Sequence, residues 1–133
     1  MADENEIMQQ LDYLKNLIDS INSRSSMLIK TIEEANDTLS LLKDNDYKNS
    51  PDTKISIGSG LFANATLNTD RVIVPVGSSV YIEEKKEDTI KRIEDNVKSL
   101  SDTYTALIRQ RETAQNNYDA LVYSIQRSQE GNQ

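Results

Sequence analysis

Residues 7–42 read IMQQLDYLKNLIDSINSRSSMLIKTIEEANDTLSLL, and the spacing of the apolar side chains in this stretch decides the fold. Steps of four and three residues alternate over five heptads without a Gly or a Pro. The heptad positions hold nine large apolar residues and two small ones: Ile7, Leu11, Leu14, Ile18, Ile21, Ser25, Leu28, Ile32, Ala35, Leu39 and Leu42. A repeat of this kind predicts a coiled-coil helix with a left-handed supercoil.

The same spacing returns near the other end of the chain and again covers five heptads. Its positions are Ile90, Ile93, Val97, Leu100, Tyr104, Leu107, Arg111, Ala114, Tyr118, Leu121 and Ile125. Two matched repeats around a mid-chain insert predict an antiparallel helical hairpin with helices of about 60 Å. Arg111 is the charged heptad residue, and we interpret it as a polar residue that sets the register of the helix pair.

The insert between the repeats has a different composition. It holds both prolines and three of the four glycines, and it is rich in residues that favour strands. Four short strands are predicted, joined as two β-hairpins by turns at 58–60 and 77–78: KISI at 54–57, LFANATL at 61–67, RVIVPV at 71–76 and SVYIEE at 79–84. Pro75 cannot donate to a strand ladder, so we expect its strand to be an edge or to carry a bulge there.

Two hairpins of this size cannot form an independent sheet with a core of their own. Both helices use their apolar stripe on each other, so the strands are expected to pair with strands of other chains. The insert is therefore predicted to be an assembly module whose interface residues are Ile55, Ile57, Leu61, Phe62, Ala63, Val72, Val74, Val76, Val80 and Ile82.

Composition excludes several chemistries. The chain of 133 residues has no Cys and no His, and its net charge is −7. Thiol or imidazole catalysis and zinc-finger sites are thus ruled out, and we expect no enzyme activity, metal or cofactor. The acidic balance argues against nucleic acid, and no apolar run is long enough for a membrane span. A soluble cytoplasmic protein is expected. Lys85, Lys86, Lys91 and Arg92 are interleaved with the carboxylates at 83–88, which are therefore interpreted as a solvated helix start.

The insert also resembles a known family. Residues 54–63, KISIGSGLFA, are similar to the first hairpin of the alpha-class subunit of archaeal-type prefoldin. Residues 72–77 and 79–85 resemble its second hairpin, which leads into a helix. The resemblance implies a single prefoldin-like domain over residues 1–133. Its parts would be an N-terminal coiled-coil helix at 1–47, the hairpins at 50–83, a C-terminal helix at 86–128 and a tail at 129–133.

The resemblance further implies a hetero-hexamer of two alpha and four beta subunits, in which the hairpins form a central β-barrel carrying six coiled coils. Such a complex is an ATP-independent molecular chaperone, a holdase that captures unfolded proteins and transfers them to a group II chaperonin. The beta-class subunits, unfolded clients and the chaperonin would be the partners of this chain.

The distal helix ends, or arm tips, are the candidate client-binding surface. The residues expected there are Ile7, Met8, Leu11, Leu121, Val122 and Ile125. An ordinary frayed coiled-coil end is the alternative interpretation. Two other functions remain open: a coiled-coil scaffold or tether that binds folded partners, and an RNA-binding helical arm. The second is disfavoured because the first 24 residues hold five acidic and two basic side chains.

Overall fold

The computed structural model describes residues 4–44 and 53–131. Two long helices flank two antiparallel hairpins in the order α1 (Glu4–Lys43), β1 (Thr53–Gly58), β2 (Leu61–Ala65), β3 (Arg71–Gly77), β4 (Val80–Lys85) and α2 (Lys86–Gly131). The predicted fold class, mostly α with a small β insert, is confirmed. The parts of the predicted segments that fall at 1–3, 45–52 and 132–133 lie outside the described residues.

Some boundaries differ from those expected. Helix α2 continues to Gly131, through most of the predicted tail. The second turn lies at Ser78 and Ser79, one residue later than predicted, because Gly77 still belongs to β3. Strand β4 extends to Lys85, and α2 begins at the next residue.

The described residues fall into two compact units. The first contains residues 4–31 and 100–131, and the second contains residues 32–44 and 53–99. In the first unit the two helical segments run antiparallel, since Ile7 and Met8 share a cleft with Ile125 while Leu17 shares one with Ala114. Every heptad position of this unit is buried or half-buried. The side chains selected by the repeat are thus those withdrawn from solvent.

Two polar groups interrupt the apolar contact in the first unit. Arg111 is half-buried, and its Nη1 donates a hydrogen bond to Oδ1 of Asn22 over 3.2 Å. Ser25 is 5% exposed, and its Oγ has no hydrogen-bond partner among the described residues. The Arg111 guanidinium thus has a hydrogen-bond partner at the surface, whereas the buried Ser25 hydroxyl has none among the described residues.

In the second unit the end of α1 lies beside the beginning of α2. Leu39 and Leu42 are buried. Lys43 Nζ lies 2.9 Å from Glu94 Oε1, an ion pair between exposed side chains that adds little stability. Burial of the two leucines therefore holds this end of the helices together.

The two hairpins are built alike. The pair Gly58↔Leu61 closes the first turn and Gly77↔Val80 closes the second, so a shift of 19 residues relates the hairpins. Each has a bulge just before its turn, in β1 between Ser56 and Gly58 and in β3 between Pro75 and Gly77. The expectation that Pro75 marks an edge or a bulge is confirmed.

Both turns require left-handed backbone at their two central residues, as type I′ turns do. The φ angles are 53° at Ser59 and 75° at Gly60 in the first turn, and 51° at Ser78 and 61° at Ser79 in the second. The second turn therefore places two serines in a region that L-residues seldom adopt.

Candidate assembly and client-binding surfaces

The first hairpin presents apolar side chains on both of its faces. Thr53↔Ala65 and Ile55↔Ala63 are cross-strand pairs on one face, which Leu61 shares by alternation. The other face carries Ser56↔Phe62 and Lys54↔Asn64, where Lys54 Nζ donates to Asn64 Oδ1 over 3.0 Å. Ile55, Leu61 and Phe62 are all exposed, and Phe62 reaches 66%.

The second hairpin is also apolar on both faces. Val72 and Val74 face Glu84 and Ile82 on one side, where Val72, Val74 and Glu84 are half-buried. Ile73 and Pro75 face Glu83 and Tyr81 on the other side. Ile73 is 73% exposed and Tyr81 is 62% exposed. Arg71 Nε lies 3.5 Å from Glu83 Oε1 on this side, so a charged pair borders the exposed apolar residues.

The structure places the ten predicted interface residues in these hairpins with unequal exposure. Ile55, Ile57, Leu61, Phe62, Val76, Val80 and Ile82 are exposed, whereas Ala63, Val72 and Val74 are half-buried. Sequence reasoning missed Ile73 and Tyr81, although strand alternation would have placed both on one face. Nine of the fifteen exposed large hydrophobic side chains in the described residues lie between Ile55 and Ile82. The hairpins are thus the main concentration of uncovered apolar surface.

A cluster of polar contacts joins β4 to α2. Glu84 Oε1 accepts a hydrogen bond of 2.6 Å from Oγ1 of Thr89, which is buried, and also pairs with Arg92 Nη2. The carboxylate that was expected to be solvated is therefore half-buried and bound at the helix start. Among the described residues no group of acidic side chains is arranged to hold a metal ion.

The predicted client-binding residues lie in the first unit, and we call them the helix-end patch: Ile7, Met8, Leu11, Leu121, Val122 and Ile125. Ile7, Met8 and Ile125 line a common cleft of about 160 Å³ together with Glu4 and Gln129. Met8 is 55% exposed, whereas the other five members are half-buried. The structure therefore brings part of the patch together and leaves one flexible apolar side chain reachable from solvent.

A groove beside this patch was not anticipated from the sequence. Two clefts of about 420 and 470 Å³ share Tyr13, Leu14 and Asn117 as lining residues, so they adjoin along one side of the helix pair. Tyr13 lies off the heptad stripe and is 67% exposed. Leu17, also off the stripe, lines the second cleft. Apolar residues next to the heptad positions were the sequence signal for this groove.

No helix among the described residues is both long enough and apolar enough to cross a membrane.

Comparisons with known proteins agree with this architecture. A family model described as Prefoldin subunit matches residues 7–131. The chain is 54% identical to prefoldin subunit alpha of Picrophilus torridus over 98 residues, which cover 74% of this chain and 70% of the relative. It is 36% identical to prefoldin subunit alpha of Thermoplasma acidophilum over 117 residues, covering 87% and 90% of the two chains.

Among solved structures, a chain from the cryo-EM structure of filamentous PFD from Methanocaldococcus jannaschii has a similar fold. The TM-score is 0.69 at 20% sequence identity, over 87% of this chain and 98% of the other. At this identity the likeness concerns the fold alone. It supports the arrangement of two long helices around small hairpins.

Proposed function

The chain belongs to the prefoldin family as an alpha-class chaperone subunit, and from this premise we propose that it works as part of an ATP-independent holdase. In this proposal two copies join four beta-class subunits through the hairpins. The complex binds unfolded proteins and passes them to a group II chaperonin in the cytoplasm.

The observation that carries the assembly step is the double-sided apolar surface of the hairpins. A two-stranded hairpin is marginally stable in water, and strand edges offer unpaired N–H and C=O groups. Ile55 and Leu61 on one face and Phe62 on the other remain exposed in the single chain. Association with hairpins of other subunits would bury these side chains and pair the strand edges at the same time.

The client-binding step is assigned to the helix-end patch. Apolar surface at the end of a helix pair can be reached by a non-native chain, whose own apolar residues are exposed. Met8 suits such partners because its unbranched side chain adapts to different shapes. Each contact would be weak, and several subunits acting together would supply the affinity. Because binding by apolar burial needs no chemical step, the proposal includes no nucleotide.

The test uses the chain co-expressed with the beta-class subunit of the same organism. Light scattering should give the mass of a hexamer, and the purified hexamer should suppress aggregation of a chemically unfolded protein equally with and without Mg-ATP. A group II chaperonin added afterwards should recover folded client from the complex. A hexamer that leaves aggregation unchanged would favour the scaffold alternative, and a chain that forms no complex would contradict the assembly step.

A further inference from the structure

The hydrogen-bond phase of the second hairpin follows from Pro75. Facing residues in an antiparallel ladder alternate between pairs that exchange backbone hydrogen bonds and pairs that do not. Pro75 faces Tyr81 and has no N–H to donate, so this pair is of the second kind. Because the two kinds of pair alternate along the strands, Ile73↔Glu83 and Arg71↔Lys85 also exchange no backbone hydrogen bonds.

An independent contact sets the same phase. Lys86 N–H donates to the carbonyl of Asp70 over 3.0 Å, directly beyond the pair Arg71↔Lys85. In an antiparallel ladder, a facing pair that exchanges no backbone hydrogen bonds is followed by a position that does have them. The bond between Lys86 and Asp70 therefore indicates that Arg71 and Lys85 exchange none. The proline and the Lys86–Asp70 hydrogen bond therefore indicate the same backbone orientation for β3 from Arg71 to Pro75.

The orientation determines what each outer edge of the hairpin offers. Residues of a non-hydrogen-bonded pair point their N–H and C=O groups away from each other. The outer edge of β4 thus carries donors from Tyr81, Glu83 and Lys85 at regular spacing. The outer edge of β3 carries donors from Arg71 and Ile73 only, and the bulge that follows Pro75 bends the strand.

The first hairpin has the same bulge before its turn, but it does not lose a donor. The 19-residue shift that relates the hairpins aligns Ser56 with Pro75. Ser56 keeps its N–H, so both edges of the first hairpin retain their donors. The missing donor is therefore specific to β3.

We propose that the outer edge of β4 is the edge through which the second hairpin pairs with a strand of a neighbouring prefoldin subunit, and that the outer edge of β3 is the weak seam of the assembled sheet. This inference rests on the proposed assembly. The occupant is an extended strand, because regularly spaced donors and acceptors match the backbone of a strand. Proline on an edge strand is a known means of preventing such pairing.

The test substitutes proline at two residues that face each other. Glu83→Pro removes a donor from the β4 edge, and Ile73→Pro removes one from the β3 edge. Neither N–H serves the ladder within the hairpin, so both variants keep its internal bonds. Glu83→Ala and Ile73→Ala are the controls, since they remove the same side chains, including the partner of Arg71, and keep the N–H.

We expect Glu83→Pro to weaken assembly with the beta-class subunit at least about tenfold relative to Glu83→Ala. Ile73→Pro should stay within a factor of about three of Ile73→Ala. Equal effects of the two prolines, or a larger effect of Ile73→Pro, would overturn the inference. If the unaltered chain does not assemble with the beta-class subunit, the proposed function itself fails. If it assembles but the two proline variants behave alike, only the assignment of the edges fails, so the two failures are distinguishable.

A second measurement needs no substitution and avoids any folding defect of the variants. Residue-resolved amide hydrogen exchange of the unaltered chain, alone and in the complex, should show strong new protection at Glu83 on assembly. The amide of Ile73 should remain far less protected. Protection of Ile73 to the level of Glu83 would overturn the inference.

Discussion

Arg111 Nη1 and Asn22 Oδ1 lie 3.2 Å apart, so a hydrogen bond between residues 89 positions apart in sequence joins the two helical segments of the first unit. Arg111 occupies a heptad position where an apolar residue would pack better. Its half-buried stem lies at the helix contact while the guanidinium reaches a polar partner, as long cationic side chains do. The pair satisfies a polar group in the contact and fits one register of the helices.

Replacing Arg111 by Leu should stabilise the helix pair and weaken its register. A polar residue at a heptad position costs stability in return for specificity. We expect the free energy of unfolding of Arg111→Leu to rise by about 1 kcal/mol in urea titrations of the assembled complex. Asn22→Ala, which removes only the exposed partner, should change it by less than about 0.5 kcal/mol. A clear loss of stability in Arg111→Leu would contradict this interpretation.

Ser25 gives a second prediction within the same unit. Its buried hydroxyl has no partner among the described residues, and an unsatisfied buried polar group costs about 1–3 kcal/mol. Ser25→Ala should therefore raise the free energy of unfolding by about 1 kcal/mol. Ser26→Ala is the matched control, because Ser26 is exposed and the gain in helix propensity is the same. Equal effects of the two substitutions would show that the Ser25 hydroxyl carries no penalty.

The helices could be predicted from the sequence because one physical rule governs them. A 3.5-residue repeat leaves a single apolar stripe, and the structure buries or half-buries every residue of that stripe from Ile7 to Leu42 and from Ile90 to Ile125. The second turn was predicted one residue early, because Gly77 was the obvious turn residue. Gly77 instead supplies the bulge with φ 109°, and the serines after it adopt left-handed backbone without any compositional signal.

The surfaces were harder to predict than the elements. The predicted interface of the second hairpin was based on its valines, Val72, Val74 and Val76. The exposed residues Ile73 and Tyr81 on the other face were therefore missed. Alternation assigns residues to faces but does not tell which face another element covers. That depends on tertiary contacts such as those of Glu84 with Thr89 and Arg92. The client-binding role of the helix-end patch stays a prediction.

The second turn can be relaxed by a single substitution. Ser79 has φ 61° where the equivalent residue of the first hairpin is Gly60, and left-handed backbone costs an L-residue about 1–2 kcal/mol. Ser79→Gly removes this cost, but glycine loses more conformational entropy on folding than serine does. The net effect should be a rise of about 0.5–1 kcal/mol in the stability of the assembled complex. Ser56→Gly, the same change at a strand residue that borders the bulge of β1 but has no left-handed backbone, should lower it. Thermal unfolding at fixed protein concentration measures both, and a destabilised Ser79→Gly would disprove the strain.

Phe62 tests the assembly surface. If its exposed ring is buried between subunits, Phe62→Ser removes about 1.5–3 kcal/mol of favourable transfer and weakens assembly about 10- to 100-fold. Met27→Ser is the control, because Met27 is also a large apolar residue and is 70% exposed, but it lies on α1, outside the hairpins. Analytical ultracentrifugation with the beta-class subunit measures both dissociation constants. If the two variants assemble equally well, Phe62 does not lie in the interface.

Met8 offers the sharpest test of client binding. It is the exposed member of the helix-end patch, so its replacement changes the surface while the half-buried residues beneath it stay in place. Met8→Asp should raise the concentration of hexamer needed to halve client aggregation about three- to tenfold, because an apolar contact is lost and a charge takes its place. Helix stability should fall only slightly, because the new carboxylate lies one turn from Glu4 and Asp12, and each like-charge pair at i,i+4 costs about 0.2–0.5 kcal/mol.

The matched control for this prediction is Met27→Asp, the same change at an exposed methionine on the same helix. Both variants should form hexamers of unaltered mass, which separates client binding from assembly. Large clients should be affected more than small ones by Met8→Asp, because they contact several subunits at once and multivalent binding falls steeply when contacts are lost.

A combined variant with Ile7, Leu11, Leu121 and Ile125 changed to Ser should lose more suppression of aggregation than Met8→Asp does. If Met8→Asp and the combined variant suppress aggregation as well as Met27→Asp while the hexamer persists, the clients bind elsewhere, and the groove beside Tyr13 becomes the next surface to alter.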